Sequence, residues 1–205
     1  MIPTVLRNQL VLLAVLVAAD VLDLLPAVST ARLTLPVLTR CAAALVGFGY
    51  VHDVLMYAGH RYVLHSRWGF KRFHALHHAT RGSVAASALY MGTVDLLLEI
   101  AVPFLGWFVL VGVEHVLVVL GVVAVGGWLS MYEHSGWQFA PGVDGLDTRK
   151  HAAHHRALGT AYAEGIGSPG LCDRVMGTSW AGGAGGAGAG DRTTPVASSR
   201  QRQKD

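Results

Sequence analysis

The sequence predicts an all-α integral membrane protein in which about four transmembrane helices carry a helical, histidine-rich cap on the cytosolic face. Three observations lead there. Of 205 residues, 52% are hydrophobic and only 14% are charged, against roughly 25% charged in an ordinary soluble domain. The apolar residues gather into four runs, each near the ~20 residues that cross a bilayer. Histidine occurs 11 times against 13 acidic residues, an excess that apolar spans do not need in order to fold. A soluble globule, and disorder through most of the length, are excluded by this balance.

The first run covers about residues 9–28. It is too long, and too weakly basic in front, for a cleaved leader, although Asp20 and Asp23 lie near its end. The second covers about 37–59, with Arg40 at its start and His52–Asp53 near its finish. The third and fourth, about 94–111 and 115–131, are separated by little more than Gly112-Val113-Glu114 and read as a tight helical hairpin. Residues 1–180 therefore form one membrane domain, with the cap built from 60–90 and 132–180. Residues 181–205 begin as a Gly/Ala run and end polar, a disordered appendage.

Charge orients the spans. With the amino terminus inside, Arg61, Arg67, Lys71, Arg72 and Arg81 fall on one inner segment and Arg149, Lys150, Arg156 and Arg174 on the other, while Arg32 and Arg40 lie outside. That is the positive-inside pattern, and it places both histidine-rich segments on the cytosolic face. The basic residues are dispersed among apolar runs, so nucleic acid is not the partner they indicate. Cys41 and Cys172 make no disulfide framework.

Nine histidines lie in two windows. His60 and His65 stand in HRYVLH and His74, His77 and His78 in HALHH; His134 stands in EHSG and His151, His154 and His155 in HAAHH. In a helix, the i, i+3 and i+4 positions of His-x-x-His-His share one face. Two such faces brought together make a nitrogen-rich pocket with room for two metal ions. One copy alone is equally a polar helix face near headgroups. Two copies, with three further histidines on the same side, would be costly near a bilayer without a partner, and imidazole suits iron, zinc, copper and nickel. A structural zinc needs four ligands and gives no reason for nine. His-Glu-x-x-His is absent, as are the Glu and Glu-x-x-His motifs of carboxylate-bridged bundles.

In this order, HRYVLH, HALHH, an apolar hairpin, EHSGWQFAP, HAAHH and a closing DRVMGT, the residues from about 50 to 180 resemble the membrane fatty acid hydroxylase and sterol desaturase superfamily. The resemblance implies a non-haem di-iron oxygenase that hydroxylates or desaturates a lipid with O2. Electrons would come from NAD(P)H through a reductase and a cytochrome- or ferredoxin-type donor. It implies two iron ions held by His60, His65, His74, His77, His78, His134, His151, His154 and His155. The membrane would be the endoplasmic reticulum in a eukaryote or the inner membrane in a bacterium. EHSGWQFAP looks most like the sterol-oxidising branch, with a sterol or other isoprenoid ahead of a fatty acyl chain. Thr93-Val94 where the family often has His-Pro, Cys172 where it has Trp, and Ala161-Tyr162 near its Asn-Tyr-Gly element are departures that bear on substrate.

Other residues allow two readings each. Asp53 could orient a ligand imidazole, or form a polar pair with His52 at a helix end; Glu133 could hydrogen-bond within the site or be an exposed helix-end carboxylate. Asp95 and Glu99 could pair with Arg81 or line a substrate entrance. Trp68, Phe70, Phe73, Trp137 and Phe139 could be an interfacial belt or a pocket. Arg61, Arg67, Lys71 and Arg72 could dock an acidic electron donor or simply obey positive-inside topology. His115 reads as interfacial. A histidine-rich membrane metal-binding or transport protein is the alternative function, although transport sites lie near the bilayer midplane and these clusters lie outside the apolar runs. A haem protein with two histidine ligands would need them facing each other on two spans; a family member with only a scaffolding role would not need the full ligand set.

Overall fold

The computed structural model describes residues 1–25, 28–30, 32–80, 84–139, 146–165 and 167–180. The expected tail at 181–205, Arg81, and Ala140-Pro141 of the EHSG stretch lie outside the described residues. Within them the chain is helical, with a single isolated β-bridge between Ser29 and His115. Four helices are long and apolar enough to cross a membrane: α1 (Ile2–Val21), α2 (Leu35–Leu64), α3 (Thr93–Leu110) and α4 (Val116–His134). Two shorter ones follow, α5 (Thr148–Ala157) and α6 (Leu171–Val175).

α1 lies seven residues nearer the amino terminus than expected from the apolar run. Pro3 occupies its first turn, where a missing N–H costs nothing. Arg7, inside the helix, is satisfied by Asn8 Oδ1 and Met91 O, and buried Asn8 donates to Leu89 O and Met91 O. The helix stops where Asp23 turns to φ 57°, so Leu22, Leu24 and Leu25 are apolar yet not helical. α2 runs past its expected end at 59: after Tyr57 it widens into a π-helical stretch, Ala58–Leu64, and carries His60 on the span itself. α4 likewise continues three residues further, ending on His134.

α2, α3 and α4 form the apolar core around Ala44, Trp107, Phe108, Val113 and Val118. The indole of fully buried Trp107 donates to Ala44 O at 2.8 Å. Small residues let helices approach, as is usual in membranes: a Cβ on Gly106 would stand 2.3 Å from Leu55 Cδ1, and one on Gly47 2.8 Å from Val111. At the end away from the cap, Ser29 N–H donates to Glu114 O and Val116 N–H to Ser29 O. His115 is buried there and accepts from Leu117 N–H as the cap of α4. Arg40 pairs with Glu114.

Candidate metal centre

The histidines converge at the other end of the bundle. They reach it from six places along the chain: His60 from α2, His65 just past its end, His74 from a π-helical turn (Phe70–His74), His77 and His78 from a 3₁₀ turn (His77–Thr80), His134 from α4, and His151, His154 and His155 from α5. The first His-x-x-His-His run is thus not the single α-helical face expected of it. Its histidines divide, as do those of the second run. His60, His65, His74, His78 and His154 form one group and His77, His134, His151 and His155 the other, with ligand atoms inside each group within 4.8 Å of one another. The groups adjoin, since the rings of His78 and His155 are 4.4 Å apart. His52 and His115 belong to neither group; His52 lies against Phe48.

Hydrogen bonds at Nδ1 turn the Nε2 atoms inward. His60 Nδ1 is 2.6 Å from Tyr162 O, His154 Nδ1 2.7 Å from Thr160 O and His134 Nδ1 2.8 Å from Ser130 O. His74 Nδ1 is 2.9 Å from both oxygens of buried Asp95. A carbonyl can only accept, so the proton sits on Nδ1 and the lone pair on Nε2. Yet Nε2 of His60 and Nε2 of His74 are 3.0 Å apart, lone pair facing lone pair. A cation between them removes that conflict. Neighbouring Nε2 pairs throughout both groups are 2.9–3.3 Å apart. Nitrogens about 2.0–2.1 Å from one ion stand about 2.9–3.4 Å apart along the edges of an octahedron or a tetrahedron, so the residues fit metal.

Electrostatics agree. Burial, helped by neighbouring imidazoles, pushes the pKa of His65 down to about 2 and that of His78 to about 3, and burial takes His154 down to about 4. His74, His77, His151 and His155 are held far below their ordinary value for the same reasons. All are neutral donors at physiological pH, the form that binds metal.

Asp95 and Glu99, left open by the sequence between an arginine pair and a substrate entrance, stand beside the first group. Glu99 Oε1, buried and without a hydrogen-bond partner, lies 3.4 Å from His60 Nε2. Two carboxyls one turn apart in an apolar span were the available signal, because ionisable groups there are seldom retained without function. Asp53 corrects an expectation. It touches no ligand imidazole and instead accepts from Ser168 Oγ, Leu171 N–H and Cys172 N–H, capping α6 from α2. Glu133 is half-buried with its carboxylate against Gly165. Of the aromatics, Phe70 lies against His65, His74 and His78, whereas Trp68, Trp137 and Phe139 are exposed. Tyr162, which the sequence did not single out for the site, sets its ring against His60, His65 and His154. Arg61 lies over the rings of Tyr57, Tyr62 and Tyr162.

Fold and site together define a helical membrane protein with a polyhistidine centre at one end. Within that class the chain belongs to the fatty acid hydroxylase family, which matches residues 45–178. It is 28% identical over 107 residues to methylsterol monooxygenase 1-1 of Arabidopsis thaliana, covering 52% of this chain and 35% of that protein. Over 140 residues it is 29% identical to cholesterol 25-hydroxylase-like protein 2 of Danio rerio, covering 62% of this chain and 48% of that one. The chain thus spans half or less of the curated relatives it matches. No solved structure matches it.

Proposed function

We propose that the protein is a membrane non-haem di-iron oxygenase that hydroxylates or desaturates a lipid, with a sterol or other isoprenoid favoured over a fatty acyl chain. The observation that carries this reading is the division of nine histidines into two adjoining groups with Nε2 atoms turned inward. Relatives named as a methylsterol monooxygenase and a cholesterol 25-hydroxylase-like protein support the sterol preference. Two irons bound there would supply dioxygen activation and attack on an unactivated C–H bond.

The chain's own residues bind, orient and exclude water. Carbonyls of Ser130, Thr160 and Tyr162 and the carboxylate of Asp95 fix the tautomers of four ligands. Seven of the nine histidines are buried, which keeps bulk water off the reacting carbon. Inserting one oxygen atom into a C–H bond and releasing the other as water consumes two electrons and two protons. The electrons come from NAD(P)H through a cytochrome- or ferredoxin-type donor, drawn to the exposed basic edge of Arg67, Lys71 and Arg72 beside the first group.

Metal analysis of the purified chain is the test. Two irons per chain are expected, with oxygen uptake in the presence of reductant and lipid extract, and His77→Ala or His154→Ala should lose iron and uptake together. A single zinc and no oxygen uptake would overturn the reading in favour of a metal-binding protein without oxygenase activity.

A further inference from the structure

The closing segment from Leu158 to Trp180 contains no histidine, yet it supplies the acceptors that aim two of them. Thr160 O takes the Nδ1 proton of His154 and Tyr162 O that of His60. These ligands come from α5 and α2, so one short turn sets the facing angle of two distant pieces of chain. The turn is backbone that must be enforced, since Leu158 has φ 50° and Ala161 φ 54°, a region seldom held by residues with a Cβ.

Asp173 is the enforcing group. Its side chain is fully buried. Oδ1 accepts from Tyr162 N–H at 3.0 Å and from Thr178 Oγ1 at 2.7 Å, and Oδ2 accepts from Ala163 N–H at 2.7 Å. The backbone of Thr178 completes the frame, its carbonyl accepting from Ala161 N–H and Thr160 Oγ1, both at 2.8 Å. Asp173 is itself held in place because α6 is capped by Asp53 of α2. Two buried carboxylates in series therefore tie the turn to the bundle.

We propose that Asp173 is a positioning residue for the five-histidine group, acting through the 160–163 turn on His60 and His154; this rests on the reading that the nine histidines hold two ions. The four-histidine group does not share the dependence. His134 is aimed by Ser130 O of its own helix, and no acceptor from the closing turn reaches His77, His151 or His155 among the described contacts. The role is therefore selective. Loss of Asp173 should weaken one ion and spare the other, which a general loss of stability would not do.

The test uses the full chain in detergent, stripped of metal and titrated with cobalt(II), whose visible spectrum reports each site. Wild-type protein should take two ions. D173N should keep one at wild-type affinity and bind the other at least about tenfold more weakly, the scale seen when groups orienting a ligand are removed. T178V, which deletes one hydrogen bond to Asp173, should weaken the same ion by less and decides the matter if D173N does not fold. Two ions bound at wild-type affinity by D173N, or an equal loss of both ions in either variant, would overturn the proposal while leaving two-metal binding intact. A wild-type chain that takes fewer than two ions would overturn the two-metal reading and this role with it.

Discussion

Asp95 gives the two histidine groups different electrostatics. Both of its oxygens lie 2.9 Å from His74 Nδ1, inside an apolar span with no exposure. A buried carboxylate so placed is costly unless paired and hydrogen-bonded. Through His74 it would pass electron density to an ion held by the five-histidine group, whereas His134 of the second group leans on a neutral helix carbonyl. Replacing Asp95 by Asn keeps the shape and one acceptor but removes the charge. D95N should bind the first ion about 10–100-fold more weakly and leave the second unchanged, measured by competition with a chelator of known affinity. An equal shift at both sites, or at neither, would mean that the contact does not tune the metal. The residue types of the two groups were legible in HALHH and HAAHH, since apolar spans need no imidazoles in order to fold. Their division was not, because it depends on helix geometry that motif spacing does not encode.

That geometry is π-helical. His65 N–H donates to His60 O and Ala75 N–H to Phe70 O, each spanning five residues, and a third such stretch, Leu97–Ala101, carries Glu99. In an α-helix, residues five apart diverge by about 140°, so His60 and His65 would face apart. The widened turn brings both to the first group. Such turns are rare and gather at functional sites, which is why the apolar run stops short of the end of α2 and why α-helical spacing wrongly put all three histidines of HALHH on one face. The apolar spans were legible by length, while the start of α1 was not, because Arg7 finds its acceptors only in the distant 89–91 connection. The helices that bring these turns together depend on close contacts. Gly106 faces Leu55, five residues before His60, with no room for a Cβ unless the leucine tip moves. G106L should therefore destabilise the protein by about 1–3 kcal/mol, read as a lower unfolding midpoint in detergent, while G106A should stay near wild type because Leu55 can rotate away. An unchanged midpoint for G106L would show that α2 and α3 do not pack in this way.

Charge is distributed along the whole molecule as the bilayer demands. Arg61, Arg67, Lys71 and Arg72 stand beside the histidine motifs, and Arg149, Lys150 and Arg156 lie on α5 with the second run. Arg7 bonds to Met91 O, bringing the beginning of α1 to the start of α3. At the opposite end Arg40 is neutralised by Glu114. Lys and Arg beside short loops remain on the cytosolic side, and the orientation we propose from this pattern turns the histidine end to the cytosol, where NAD(P)H and soluble donors are found. The chain offers a direct check once Cys41 and Cys172 are replaced. Leu33, exposed in the α1–α2 connection, and Trp68, exposed between the histidine motifs, lie at opposite ends. In intact cells a membrane-impermeant maleimide should label L33C and leave W68C unlabelled until the membrane is permeabilised. The reverse pattern would place the polyhistidine centre on the outer face, away from cytosolic reductant, and would remove the route by which NAD(P)H electrons reach it.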